Sequence, residues 1–217
     1  MHETVLKTSV IFLVFAFIHS LFLSRAVKER IAQLIGRSLM EGFYRLFYTI
    51  LSVLTLIAAA WLIHNIPDYK LIDLPLWLEI LCRIMQLIGV TLFLYASKHF
   101  SILEFTGLRQ AMDYLSKGSQ RGNIEGLSSN TLITNGAYAI VRHPMYLAGI
   151  LIFTFNPDIT VKGLTLTILA DLYLLFGAWI ESRRYVEYFG DQYVKYMKEV
   201  PMLIPKIPKS LLKFDRF

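Results

Sequence analysis

Arg142, His143, Pro144 and Tyr146 fall within about one and a half helical turns beside an apolar run, and their shared chemistry is anion recognition. Arg142 brings a planar fork of donors that matches a carboxylate, while His143 and Tyr146 bring hydrogen-bonding tips. Pro144 suits the first position of a helix, where its missing N–H removes nothing. A helix starting there would aim backbone N–H groups at the same anion. Further along, Glu181 closes a second apolar run just before Arg183 and Arg184. Taken singly, each group has a plainer use: Arg142 and His143 as headgroup anchors, Glu181 as the partner of a neighbouring arginine. Taken together on one membrane face, a cation with amides and a carboxylate make a cradle for a zwitterion such as an amino acid head group.

The elements that must position these groups are apolar. Of the 217 residues 55% are hydrophobic, and the mean hydropathy is positive, too oily for an ordinary soluble domain of this length. A spanning helix needs about 20 mainly apolar residues, and five segments approach that. They are Thr4 to Leu23, Phe43 to Ile66, Leu76 to Ser97, Met145 to Phe155 and Thr160 to Ile180. The fourth is short and ends at the turn signal Asn156-Pro157-Asp158, so segments four and five are expected to form a helical hairpin. The first run follows Lys7 but lacks a small-residue cleavage site, which makes it a retained helix rather than a signal peptide.

Lys and Arg concentrate in alternate connections: Arg25, Lys28, Arg30 and Arg37; then Lys98, Arg109, Lys117, Arg121 and Arg142; then a tail running from Arg183 to Arg216. The other side holds Lys7, Lys70 and Lys162. By the positive-inside rule this predicts an integral, multi-pass membrane protein with its N-terminus outside and its C-terminus cytoplasmic. The chain reads as one all-α domain, 1–217. It comprises three N-terminal spans (1–97), a cytoplasmic loop (98–142), and a helical hairpin with a cofactor-binding tail (143–217). Within the loop, Lys117 to Asn123 has the composition of a flexible turn. After the fifth segment Tyr185, Tyr188, Phe189, Tyr193 and Tyr196 recur at helical spacing, a face expected at the membrane interface.

Gly136, Tyr138, Arg142, His143, Pro144 and Tyr146 realise Gly-x-Tyr-x-x-x-Arg-His-Pro-x-Tyr. This resembles the signature of the isoprenylcysteine carboxyl methyltransferase and phospholipid methyltransferase superfamily. Glu181, Phe189-Gly190, Tyr193, Tyr196 and Val200-Pro201-Met202-Leu203-Ile204-Pro205 resemble its C-terminal pattern. Within it, His19-Ser20-Leu21, Tyr44-Arg45-Leu46-Phe47-Tyr48, Phe105 to Gln110 and Asn156 to Thr160 are similar to the branch containing NnrU-like proteins and methanethiol S-methyltransferase. One departure stands out: where other members often carry two adjacent acidic residues, this chain has Glu181-Ser182.

The resemblance implies methyl transfer from S-adenosylmethionine to a small thiol or another soft nucleophile, or to a more lipophilic acceptor. In-line displacement at a sulfonium methyl asks for orientation and a dry site more than for acid–base machinery. On that reading Arg142 and His143 hold the methionine carboxylate and Glu181 the amino group or a ribose hydroxyl. Thr134, Gly136, Ala137 and Tyr138 line the adenosyl pocket, with Tyr146 beside them, and Arg142 and Glu181 are the catalytic residues. Other acceptors within the superfamily are an isoprenylcysteine carboxyl group and a phospholipid amine. Two other classes share the scaffold: NADPH-dependent sterol-type reductases, and NnrU-like membrane proteins without catalysis.

Other chemistries find no footing in the sequence. No Gly-x-Gly-x-x-Gly follows a strand, which argues against a soluble dinucleotide-type methyltransferase. His2, His19, His64, His99 and His143 lack metal-ligand spacing, and Cys82 is alone, so no metal centre is expected. The basic residues border spans rather than an aromatic-lined soluble module, so nucleic acid is not the expected partner; membrane lipid is. Asp171, inside the fifth segment, is expected to pair with Arg83 of the third or else to stay protonated, with pairing preferred. His19 and Ser20 are expected to make helix-packing hydrogen bonds. Tyr44 and Arg45 fit interfacial anchoring or closure over the site. Oligomeric state is unreadable where packed and lipid-facing surfaces are equally apolar.

Overall fold

The computed structural model describes residues 1–117 and 131–206. From Gly118 onward, the expected Lys117 to Asn123 turn lies outside the described residues, as do the tail cations Lys209, Lys213 and Arg216. The chain is mainly helical. Helices α1 (His2–Leu23), α3 (Arg37–His64), α4 (Leu76–Ser97) and α8 (Val161–Phe189) are long and apolar enough to cross a membrane. The short apolar α7 (Pro144–Thr154) joins them. This set is compatible with a multi-pass membrane protein, and most of the surface of the four long helices is left for lipid to cover.

Further elements occupy the connections, where an apolar run is no guide. They are α2 (Arg25–Ile35), α5 (Ile102–Thr106), α6 (Leu108–Lys117), a 3₁₀ turn (Gly136–Ala139), α9 (Asp191–Glu199) and strands β1 (Lys70–Ile72) and β2 (Ile159–Thr160). Two compact units divide the chain. The first comprises residues 1–73, 100–131 and 158–169; the second comprises 74–99, 132–157 and 170–217.

In the first unit α2 begins at Ser24, whose hydroxyl accepts the Val27 N–H, and ends at Gly36 with φ +89°. Polar groups tie α1 to α3: His19 hydrogen-bonds to Tyr48 at 2.7 Å, as expected, and Tyr44 donates to the Phe22 carbonyl. Arg45 ties α3 to α5. Its Nε donates to the Phe105 carbonyl at 2.9 Å, and its guanidinium lies over the Phe105 ring. Gly107, with φ +86°, rests on the α3 backbone at Arg45 and Leu46, where a Cβ would clash. Two short motifs that are remote in sequence are therefore one structural feature. Strands β1 and β2 pair antiparallel, Lys70 opposite Thr160. The adjoining Asp68 carboxylate accepts the backbone N–H groups of Tyr69 (2.9 Å) and Lys162 (3.0 Å).

The second unit is built on close backbone approach. At Gly89 of α4 a Cβ would come within 2.9 Å of the Ala148 carbonyl of α7, the small-residue contact favoured between helices in lipid. Gln86 donates to the Ile152 carbonyl at 3.0 Å on the same interface. α8 lies antiparallel to α7, Gly149 meeting Leu174 and Gly177 meeting Tyr146, which is the expected hairpin. Asp171 is held here by the Thr154 hydroxyl at 2.6 Å, and Arg83 reaches Gln86 instead. The expected Asp171–Arg83 pair is not formed, because a hydroxyl on the adjacent helix lies nearer.

α8 outruns the expected segment by nine residues, Glu181 to Phe189. At 1.5 Å per residue its 29 residues extend about 44 Å, more than the roughly 30 Å hydrocarbon core. A span of about 20 residues counted from Val161 is complete at Ile180, so Glu181 opens the part of α8 beyond it.

Candidate functional site

The second unit gathers residues from four elements around Glu181. α7 begins at Pro144, with His143 as its N-cap. The N–H groups of Arg142 and His143 do not face open space: they donate to the carbonyls of Pro201 (2.9 Å) and Met202 (3.2 Å). Both groups precede the helix that opens at Pro144, so they are distinct from the first-turn N–H groups expected to face an anion. Their pairing ties Val200 to Pro205 to the Arg-His-Pro stretch through backbone.

His143 is 3% exposed and both ring nitrogens are engaged. Nε2 meets Ser182 Oγ at 2.7 Å, and Nδ1 lies 3.3 Å from Glu181 Oε2. The Tyr185 hydroxyl donates to the other carboxylate oxygen, Oε1, at 2.7 Å. The Tyr146 side chain hydrogen-bonds to the same carboxylate and sets its ring edge-on to His143 at 5.5 Å. Tyr185 stacks parallel to the imidazole at 6.5 Å. Glu181 thus takes its partners from within the site rather than from a neighbouring arginine. Arg183 instead lies over the Trp179 ring at 4.0 Å. The Glu181 side chain nevertheless remains 32% exposed, so it has room for another partner.

Arg142 is the opposite case. Its Nε and Nη1 are buried, and among the described residues neither has a hydrogen-bond partner. The guanidinium lies over the Tyr193 ring, 5.9 Å from its centre. Burial pushes the Tyr193 hydroxyl up from its ordinary range, its bond with Ser182 and the charge of Arg142 pull it down, Glu181 pushes it up again, and a hydrogen bond with the Arg142 side chain lowers it slightly. One hydroxyl therefore feels both the cation and the carboxylate. A guanidinium with two buried, unpartnered nitrogens beside an oriented carboxylate suits a ligand carrying an anionic and a cationic end.

The 3₁₀ turn supplies the adjoining wall. Gly136 has φ +59°, and a Cβ there would sit 2.7 Å from His99 Nε2 and 3.3 Å from the Tyr95 hydroxyl, so a close approach and a left-handed backbone both require glycine. Ala137 is fully buried, while Thr134 is exposed. Tyr138 packs its ring edge-on to His99 and offers its carbonyl to the Tyr196 hydroxyl. Burial, then Glu181 and Tyr196, push the Tyr138 hydroxyl upward.

Sequence reasoning passed over Ser182, His99 and the inward role of the α9 tyrosines. Tyr193 and Tyr196 are buried and serve the site; the surface of that region is carried instead by Tyr188, Val194 and Met197. The signal was present, because Tyr193 and Tyr196 belong to the C-terminal pattern. Ser182 was visible only as a departure from a paired acid.

The profile of the NnrU protein family matches residues 9–156. A methanethiol S-methyltransferase of Pseudomonas deceptionensis is 31% identical over 76% of this chain and 61% of its own length. The methanethiol S-methyltransferase 2 of Bradyrhizobium diazoefficiens is 30% identical over 94% of this chain and 74% of its own. A protein-S-isoprenylcysteine O-methyltransferase of Schizosaccharomyces pombe is 40% identical over 36% of this chain and 34% of its own. The chain thus spans about three fifths of the Pseudomonas relative's length. No solved structure gives a significant match.

Proposed function

The chain belongs to the NnrU protein family, and from that premise we propose that it is a membrane methyltransferase that uses S-adenosylmethionine to methylate a small thiol such as methanethiol. The observation that carries this reading is the Arg142 guanidinium, whose Nε and Nη1 are buried without a hydrogen-bond partner among the described residues, next to a Glu181 carboxylate already fixed on both oxygens. That donor set fits an amino acid head group: Arg142 for the carboxylate, Glu181 for the ammonium. The glycine cradle at Gly136, with Thr134, Ala137 and Tyr138, lines the adenosyl portion. His143 and Tyr146 complete the cofactor site through the Glu181 carboxylate they touch.

When bound, S-adenosylmethionine supplies an electrophilic sulfonium methyl, which passes to the acceptor sulfur as the thiol proton is lost and S-adenosylhomocysteine is released. The protein's share is orientation. Arg142 and Glu181 grip the two ends of one head group and so fix the direction in which the methyl can be approached. The buried rings of Tyr193 and Tyr196 keep water from the grip, which strengthens both charge contacts. In this reading the site opens to the cytoplasm, with the N-terminus outside.

The names of the relatives support the class, and those called methanethiol S-methyltransferase support the thiol. The match to a protein-S-isoprenylcysteine O-methyltransferase favours, as a second reading, a lipophilic carboxyl acceptor. Purified protein titrated calorimetrically with S-adenosylmethionine, S-adenosylhomocysteine and NADPH tests the cofactor. Labelled-methyl transfer to thiols of graded size, and to a prenylated cysteine, tests the acceptor. Tight NADPH binding with no response to either adenosyl compound would overturn the proposal.

A further inference from the structure

Ser182 follows Glu181 on α8, and its surroundings give it a definite use. Its hydroxyl lies 2.7 Å from His143 Nε2 and accepts the Tyr193 O–H at 3.2 Å. Tyr193 is 1% exposed and Ser182 6%, so with His143 all three side chains are closed off. Only Glu181, at the end of the series, keeps accessible surface.

The polarity of this network follows from donor arithmetic. A carboxylate can only accept, so His143 Nδ1 must carry the hydrogen directed at Glu181 Oε2. With the imidazole in its neutral form, Nε2 is then an acceptor, and the Ser182 hydroxyl, at 2.7 Å, is the nearer donor to it, the Tyr193 hydroxyl standing at 3.5 Å. The Ser182 oxygen is left as an acceptor, and Tyr193 fills it. An aspartate or glutamate at position 182 would supply no hydrogen to Nε2.

We infer that Tyr193, Ser182 and His143 form a one-directional hydrogen-bond relay whose function is to set the Glu181 carboxylate for its ligand. His143 and Ser182 act as positioning residues that do not touch that ligand. The inference rests on the proposed S-adenosylmethionine site for the identity of the ligand and on the geometry alone for the relay. Outer partners that orient a ligating side chain typically contribute 10- to 100-fold in affinity at metal sites, and an oriented carboxylate gripping an ammonium presents the same problem.

The test uses the full-length protein in detergent or nanodiscs with 15N-labelled histidine. In the unaltered protein the His143 resonances should report the Nδ1–H tautomer, and S-adenosylhomocysteine should leave that tautomer in place. Ser182→Ala should leave the Nδ1–H tautomer that Glu181 fixes, shift the His143 Nε2 resonance as that nitrogen loses its donor, and weaken S-adenosylhomocysteine binding about tenfold. Ser182→Thr, which keeps the hydroxyl, should return the resonance and bring binding to within about twofold, and Tyr193→Phe should give an intermediate loss. An Nε2 resonance unmoved in Ser182→Ala, or a tautomer that switches when S-adenosylhomocysteine binds, overturns the relay. Failure of the unaltered protein to bind either adenosyl compound overturns the proposed function, and the Nε2 resonance in Ser182→Ala still decides the relay.

Discussion

Arg142→Met separates what the guanidinium costs the empty protein from what it contributes to a ligand. An unsatisfied buried polar group costs about 1–3 kcal/mol, more when charged. Two such nitrogens, Nε and Nη1, place about 2–6 kcal/mol against the unliganded fold. The contact with the Tyr193 ring returns about 0.5–1 kcal/mol. Methionine keeps a long unbranched stem and removes the charge. Allowing for relaxation around the guanidinium, the expected gain is about 1–2 kcal/mol, or about 2–8 °C for a domain of this size. Binding should move the other way. A hydrogen bond to a charged group is worth about 1.5–3 kcal/mol, and each 1.4 kcal/mol is tenfold, so losing one such bond weakens affinity roughly 10- to 150-fold. Thermal melts followed by the fluorescence of the three tryptophans, with and without S-adenosylhomocysteine, measure both quantities. A variant that melts several degrees below the unaltered protein, yet shows an undiminished ligand shift, would refute the reasoning on both counts.

Three further outcomes are expected. Gly136→Ala forces a left-handed backbone on a residue with a Cβ, about 1–2 kcal/mol, and drives that Cβ to 2.7 Å from His99 Nε2. It should lower the melting temperature, and adding His99→Ala should recover the steric part but not the backbone part; full recovery would contradict the φ argument. Burial, then Tyr193, raise the Tyr196 hydroxyl to about 12 against a smaller pull from Arg142. The folded state therefore favours the protonated phenol. Its contribution is complete below the ordinary phenol value near 10 and is lost as pH rises through about 12. Melts across that window should converge with those of Tyr196→Phe, and a constant offset would refute this. Asp68 runs in the opposite sense. Partial burial pushes its carboxyl up, but the Lys162 N–H, the Thr160 hydroxyl, the Tyr69 N–H and the Lys162 charge together hold it below the usual value. Its contribution is present above the ordinary carboxylate value and disappears as pH falls through the lowered one. Acid unfolding of Asp68→Asn should differ from the unaltered protein near neutrality and merge with it at low pH.

Hydropathy located the apolar bodies of α1, α3, α4, α7 and α8, because length and composition decide whether a segment can live in lipid. It stopped short at Ile180 because Glu181 opens a polar stretch, although Ser182 and Tyr193 turn that stretch inward and helix continues to Phe189. α2, α5 and α6 were missed for a related reason: they are short, and their apolar residues are interrupted by charge, so no run announces them. Nothing in the Arg-His-Pro motif itself names the backbone it meets. Only folding brings the Pro201 and Met202 carbonyls to Arg142 and His143. Asp171 shows the same limit, since charge alone named Arg83 as its partner and proximity chose Thr154.

The stitch between residues 142–143 and 201–202 also sets an order of events during biosynthesis. A ribosome delivers α7 and its entry turn well before it delivers the strap that accepts their N–H groups. A nascent chain that has already threaded α8 still carries two unsatisfied donors. Membrane insertion and completion of the fold are thereby separated in time: a chain stalled at α9 holds its apolar helices but not yet the backbone that closes over residues 142 and 143.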